Sequence, residues 1–145
     1  MRLTSALVNL KYGEVKMSNV LIVDGNLGRH SIYGIVFRRL ERVLNKSISR
    51  ILVTTYESGL GMVTRNPYDL YIIGDCMSRG RGAPPEILGT DLCGKIIEKE
   101  KGAELIIMTK NGDVAKTAQE LGIKIATGMY DLEKYLRSLF FPQHC

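Results

Sequence analysis

Short apolar runs alternate with helix-like segments along most of the chain, and this alternation restricts the possible folds more than any other feature. The runs are rich in aliphatic and β-branched residues, which is typical of strands buried on both faces of a parallel sheet. Short connections between the segments favour an α/β fold: a five-stranded parallel sheet with helices on both faces, which is a three-layer sandwich. Strands are predicted at residues 19–23, 50–56, 68–73, 103–109 and 123–127, and helices from about 31 to 44 and at 57–66 (short, weakened by glycine), 90–102, 111–122 and 129–141.

One segment does not follow the alternation. Residues 74–89, GDCMSRGRGAPPEILG, are predicted to be loop over much of their length, because their glycines and the Pro84–Pro85 pair resist regular structure. In sheets of this kind ligands bind at the carboxyl ends of the strands, so a functional site is expected there. The predicted ends are Asp24–Gly25, Thr55, Gly74–Asp75, Thr109–Lys110 and Thr127–Gly128.

Length and composition limit the organisation of the chain and its setting. The 145 residues fit one domain, predicted at 18–141, with an N-terminal extension at 1–17 and a tail at 142–145. No apolar run approaches the roughly 20 residues of a membrane span. The cysteines are three in number and widely spaced, which argues against a zinc site or a disulfide framework and predicts a cytoplasmic location. The net charge of +5 permits anionic partners, but the basic residues are scattered, so nucleic acid is not the favoured partner.

Four stretches, taken in order, resemble the receiver domain of bacterial response regulators: VLIVDGN, YDLYIIGDCMS, IIMTK and GIKIATGMYDLEKYL. The resemblance extends from residue 19 to about residue 140 and depends on the order and spacing of these pieces. It implies the flavodoxin-like form of the sandwich and a role in a two-component phosphorelay. In that family an aspartate after the third strand accepts a phosphoryl group, and Mg²⁺ is held by this aspartate and by acids after the first strand.

The resemblance, carried over position by position, implies that most of this chemistry is missing. The acid pair after the first strand falls on Asp24 and Gly25, and the phosphoacceptor falls on Gly74. The family's lysine after the fifth strand falls on Gly128, whereas Thr109 keeps the hydroxyl that bonds a phosphoryl oxygen. Glycine offers neither a carboxylate nor an ammonium group. We therefore expect a degenerate receiver pocket without phosphorylation, bound metal or cofactor.

Asp75 leaves an alternative open. Successive strand side chains face opposite ways, so Asp75 is expected to turn out of the site, although this rule relaxes where the backbone leaves the sheet. If it turned inward, Asp75 could be the phosphoacceptor and could hold Mg²⁺ together with Asp24. Lys110 could then replace the missing positive charge.

The resemblance also implies how such a chain would act. A receiver-like domain works by docking, so we expect a signalling adaptor, not an enzyme, that binds a protein partner, with homodimerisation as a further mode. In the family, the face formed by the fourth helix, the fifth strand and the fifth helix commonly makes such contacts. A basic nucleic-acid-binding module is the third-placed alternative. The candidate contact residues on that face are Lys116, Tyr130, Lys134 and Arg137.

Overall fold

A computed structural model of the chain describes residues 19–141, so the predicted extension at 1–17 and tail at 142–145 lie outside the described residues. Within this range one sheet has five parallel strands in the order β2-β1-β3-β6-β7, and a separate hairpin pairs β4 with β5. The predicted parallel sheet is confirmed. The strands are β1 (Asn19–Val23), β2 (Ser49–Val53), β3 (Leu70–Gly74), β4 (Cys76–Ser78), β5 (Pro85–Ile87), β6 (Leu105–Met108) and β7 (Lys124–Ala126).

Helices cover both faces of the sheet, and polar side chains set where several of them begin. The side-chain oxygen of Asn26 accepts a hydrogen bond from the Gly28 N–H, and Asn111 and Thr55 cap their helices in the same way. The first helix therefore begins at residue 27, earlier than predicted, because Gly25 and Asn26 form its cap and not a longer turn. The helices are α1 (Leu27–Leu44), α2 (Tyr56–Arg65), α3 (Gly89–Lys99), α4 (Gly112–Glu120) and α5 (Met129–Phe140).

The core is divided into two clusters by the central strands β1, β3 and β6. Adjacent residues such as Ile72 and Ile73 point to opposite faces, as strand geometry requires. One cluster packs against α2, α3 and α4, and the other packs against α1 and α5. In the described part of the chain, no helix is long and apolar enough to cross a membrane.

The prediction for residues 74–89 is wrong in part. Cys76–Ser78 and Pro85–Ile87 form an antiparallel hairpin, and Ser78 also bridges to Thr55 beyond the end of β2. Proline is tolerated at Pro85 because this strand lies at an edge, where a missing N–H breaks no ladder bond. Each strand has only three residues, which is too short for a periodic sequence pattern. The hairpin stands at the carboxyl edge of the sheet, next to the predicted site.

Candidate functional site

The register of the two central strands brings two predicted site positions together. Val23 is paired with Ile73, so the next residues, Asp24 and Gly74, lie side by side at the carboxyl edge. A Cβ atom added to Gly74 would collide with the Asp24 carboxylate. The space that a larger residue at position 74 would need is therefore already filled by Asp24. A side chain at position 74 would therefore have to displace the Asp24 carboxylate.

The carboxylate of Asp24 is completely buried and is fully hydrogen-bonded. It accepts bonds from the Asn26 N–H at 2.9 Å and from the Tyr33 hydroxyl, and one oxygen lies 3.3 Å from Nη1 of Arg29. Burial, followed by the nearby Asp24 charge, strongly raises the pKa of Tyr33, so its hydroxyl stays protonated and donates. A buried carboxylate is tolerated only when its oxygens are paired in this way.

The carboxylate of Asp75 faces the same pocket, and the expectation that it turns outward is wrong. One oxygen lies 3.2 Å from both terminal nitrogens of Arg29, and the other accepts a 2.7 Å bond from the Thr109 hydroxyl. The backbone leaves the sheet after Gly74, and strand alternation therefore no longer controls the direction of the next side chain. The structure thus brings Asp24, Asp75 and Thr109 together.

Arg29 supplies the positive charge of this pocket, a role that the sequence prediction offered to Lys110. Burial lowers the pKa of Arg29, but the charges of Asp24 and Asp75 outweigh it and the pKa is raised overall. The guanidinium is therefore a permanent cation between two carboxylates. Lys110 is exposed and makes no ion pair with Asp75.

The glycine at position 25 also has a packing reason. A Cβ atom there would lie 2.8 Å from the Cα of Met77, in the first strand of the hairpin. The hairpin therefore rests on the backbone of the β1–α1 connection. An acid at this position, such as the resemblance implies for the family, would displace β4. Gly128 differs, because a Cβ atom there would meet nothing within 4 Å.

A shared Mg²⁺ ion does not fit these residues while Arg29 is in place. Mg²⁺ needs oxygen ligands at about 2.0–2.1 Å in octahedral geometry. The guanidinium nitrogens lie 3.2–3.4 Å from the carboxylate oxygens that a shared ion would bind. Among residues 19–141 no three His, Cys, Asp or Glu side chains are grouped as metal ligands. The cation of this pocket is a side chain of the protein itself.

The candidate partner-binding residues lie on α4 and α5, away from the pocket. Tyr130 is 79% exposed at the start of α5, and it borders a shallow depression with Lys134 and Arg137. Lys116 is exposed on α4. The structure therefore presents three of these four side chains together as one surface.

Three pocket residues were missed from the sequence, and all lie in the first turns of α1. They are Arg29, His30 and Tyr33. Arg29 and Tyr33 are four residues apart, so they share one helix face directly after Asp24. The His30 ring nitrogen Nε2 lies 2.9 Å from the Asp24 carbonyl oxygen and donates to it. The spacing after a buried acid was the available signal, but the helix was predicted to begin only at about residue 31, which concealed it.

Comparison with solved structures identifies the fold. No family model matches the sequence, and no curated protein matches it. A response regulator receiver domain protein (CheY-like) from Methanospirillum hungatei matches with a TM-score of 0.62 at 14% identity, over 85% of this chain and 93% of that chain. A two-component response regulator from Clostridium difficile matches with a TM-score of 0.62 at 19% identity, over 84% and 94%.

A third match is to a structure that contains a metal ion. It is the receiver domain of a sensor histidine kinase from Pseudomonas aeruginosa, which has a magnesium ion coordinated in its active-site cleft. It matches with a TM-score of 0.59 at 15% identity, over 85% of this chain and 97% of that chain. The strand order, the arrangement of the helices and these matches agree: the chain has the fold of response regulator receiver domains.

Proposed function

We propose that this protein is a signalling interaction module with a receiver fold, and that phosphorylation is not its switch. The observation that carries the proposal is the position of Arg29, whose guanidinium lies between Asp24 and Asp75. In the receivers that the sequence resembles, a metal ion and a phosphoryl group would fill this space. Here a guanidinium and the Asp75 carboxylate fill it.

The hydrogen bond of Thr109 supports the same conclusion. By the resemblance, this hydroxyl would bond a phosphoryl oxygen. Instead it donates to the Asp75 carboxylate at 2.7 Å, while its oxygen accepts a bond from the Asn111 N–H. All of these hydrogen bonds are made within the protein. In the described residues, no buried polar side-chain atom lacks a hydrogen-bond partner. We infer that the pocket is held in one state by its own side chains.

A titration with a phosphoryl mimic tests this proposal. ¹⁵N-labelled protein would be mixed with MgCl₂ and beryllium fluoride, and the amides of Gly74, Asp75 and Thr109 would be followed by NMR. We expect these amides not to shift, because the two carboxylates already bind a cation. A conventional receiver domain treated in parallel shows that the reagent is active. A Mg²⁺-dependent shift that disappears in Asp75→Asn would overturn the proposal.

The second candidate function is phosphorylation at Asp75, and one specific observation favours it. Asp75 faces the pocket and is bonded to Thr109, as a phosphoacceptor would be. The ion pair between Arg29 and Asp75 weighs against it, because nucleophilic attack requires a carboxylate oxygen that is free to react. Treatment with acetyl phosphate and Mg²⁺, followed by intact-mass measurement, separates the two candidates. A mass gain of one phosphoryl group in the wild type but not in Asp75→Asn would establish the second.

Docking to a protein partner, through the surface of Tyr130, Lys134 and Arg137, is the activity that we propose for the module. An exposed aromatic ring among cations is typical of residues that anchor protein interfaces. We propose the cytoplasm as its location and a second copy of the chain as one partner. Sedimentation over a wide concentration range tests the self-association. Affinity capture tests the surface: proteins retained by the wild type should be lost with Tyr130→Ala/Lys134→Gln and kept with Val43→Gln.

A further inference from the structure

The β4–β5 hairpin forms one wall of a groove at the carboxyl edge of the sheet. The groove has a volume of about 530 Å³ and lies between the hairpin and the connections that follow β1 and β2. It shares no lining residue with the network of Asp24, Arg29 and Asp75. Its size is within the range of natural ligand-binding clefts, roughly 300–1,000 Å³. The hairpin thus lines a concave surface that is separate from the Asp24–Arg29–Asp75 network.

The lining of the groove combines apolar surface with hydrogen-bond donors. The side chains of Leu27 and Pro85 contribute apolar surface, and Leu27 is 75% exposed. Thr54 and Ser78 add hydroxyl groups. An apolar ligand group that covered Leu27 would remove its surface from water, which is favourable.

Among the described residues, the lining of the groove carries positive charge and no negative charge. Arg81 lies on the groove and makes no ion pair within residues 19–141, whereas no residue that lines the groove in this range is acidic. The neighbouring Arg79 is held by stacking 5.2 Å from the Tyr56 ring centre and by a 3.8 Å pair with Glu86. Arg81 is therefore the guanidinium that remains available to a carboxylate from outside.

We propose that this groove binds a short segment of a protein partner in which an apolar side chain stands beside a carboxylate. The apolar side chain would lie against Leu27 and Pro85, and the carboxylate would pair with Arg81. This inference rests on the proposed function as an interaction module and gives that module a second surface, separate from Tyr130 and Lys134. Charge complementarity with Arg81 selects an acidic segment over a basic or neutral one.

The test uses pools of blocked tetrapeptides and ¹⁵N-labelled full-length protein. One pool combines Asp or Glu with Leu, Ile, Val or Phe; a second replaces the acids by Lys, and a third replaces the apolar residues by Ser and Gly. We expect the acidic–apolar pool alone to shift the amides of Leu27, Thr54, Ser78 and Arg81. No shift with this pool, or an equal shift with the basic pool, would overturn the proposal.

Matched variants show whether the named side chains carry the binding. Arg81→Gln should weaken binding roughly fivefold or more, whereas Lys101→Gln, which removes the same charge elsewhere, should not. Leu27→Gln should weaken it in the same way, with Val43→Gln in the last turns of α1 as its control. Sodium hexanoate tests whether the groove instead binds a small apolar anion. Shifts with hexanoate but not with the peptides would identify such an anion as the ligand and would overturn the peptide proposal.

The same spectra separate this proposal from the proposed function. If the groove proposal is wrong, the peptides will not shift the amides of Leu27 and Arg81, whatever the result with the phosphoryl mimic. If phosphorylation does switch the protein, Mg²⁺ and beryllium fluoride will shift the amides of Asp75 and Thr109. Because the two sets of amides do not overlap, each result is assigned to one proposal.

Discussion

At the residue scale, the pocket depends on one guanidinium shared by two carboxylates. Arg29 lies 3.3 Å from an Asp24 oxygen and 3.2 Å from an Asp75 oxygen, and its side chain is 16% exposed. Breaking a largely buried ion pair from one side leaves an uncompensated charge, which costs more than the intact pair contributes. The stability of the pocket is therefore tied to this residue.

Arg29→Met should destabilise the protein by about 3 kcal/mol, because two carboxylates would face each other without a cation. Denaturant unfolding measures this change in the free energy of unfolding. Arg39→Met is the control, because its 2.9 Å pair with Glu133 is at the surface and should contribute about 1 kcal/mol or less. Mg²⁺ should stabilise the Arg29→Met protein but not the wild type. Equal stability of Arg29→Met and the wild type would contradict this account.

Tyr33 makes the stability of the protein depend on pH in the alkaline range. Burial, followed by the Asp24 charge, raises the folded-state pKa of Tyr33 above its unfolded value of about 10. The folded protein therefore keeps a proton that the unfolded chain loses, and stability falls as the pH rises above about 10. Tyr33→Phe should reduce the slope of unfolding free energy against pH there by about 1.4 kcal/mol per pH unit. At neutral pH the same variant should lose about 1–3 kcal/mol, because an Asp24 oxygen loses its donor. An unchanged alkaline slope would refute this role.

At the scale of elements, the β4–β5 hairpin packs on the β1–α1 connection and forms one wall of the groove. Its first strand rests on Gly25, and the carbonyl of Arg79 accepts a 2.9 Å bond from the Glu57 N–H of α2. The hairpin is therefore held from the β1 side and from the β2 side. These contacts explain how a short, glycine-rich hairpin packs at the sheet edge.

Two glycine-to-alanine substitutions should have opposite effects. Gly25→Ala should cost about 1–3 kcal/mol, because the new methyl group would press on the Met77 backbone. Gly94→Ala should stabilise the protein by about 0.5–1 kcal/mol, since Gly94 lies within α3 and its Cβ would meet nothing within 4 Å. Denaturant unfolding compares the two. Hydrogen exchange of the Glu57 amide, which should quicken only in Gly25→Ala, reports whether the hairpin loosens.

At the scale of the whole molecule, the central strand β3 joins the two halves of the core. Ile72 belongs to the cluster under α1 and α5, and Ile73 belongs to the cluster under α2, α3 and α4. Both side chains are completely buried. Because neighbouring residues of one strand serve the two clusters, neither cluster can lose its packing without disturbing the other.

Ile72→Ala and Ile73→Ala should each destabilise the protein by about 3–4 kcal/mol through the cavity left behind. Both variants should still unfold in a single transition, seen alike by circular dichroism and by tyrosine fluorescence. The thiol of Cys93 gives a third probe: burial raises its pKa to about 12, so it should react with thiol reagents only on unfolding. Separate transitions for the two substitutions would show that the clusters are independent units.

Local sequence patterns were sufficient for most of the fold. Continuous apolar runs such as 19–23 and 68–73 identified buried strands, since both faces of a central strand are covered and the pattern appears within a few residues. The hairpin could not be predicted in this way, because its three-residue strands carry no period. A glycine at the end of the third strand was visible in the sequence, but its close approach to the Asp24 carboxylate was not.

The sequence by itself determined the order of strands and helices and the parallel sheet, and it has glycine at positions 25, 74 and 128. These features follow from neighbours in the chain. Only the tertiary structure decided that Asp75 turns inward, that Arg29 lies between Asp24 and Asp75 and that a hairpin covers Gly25. Arg29 and Asp75 are 46 positions apart, and their contact exists because β1 and β3 lie side by side in the sheet. Such contacts depend on distances in the folded chain, which no local pattern records.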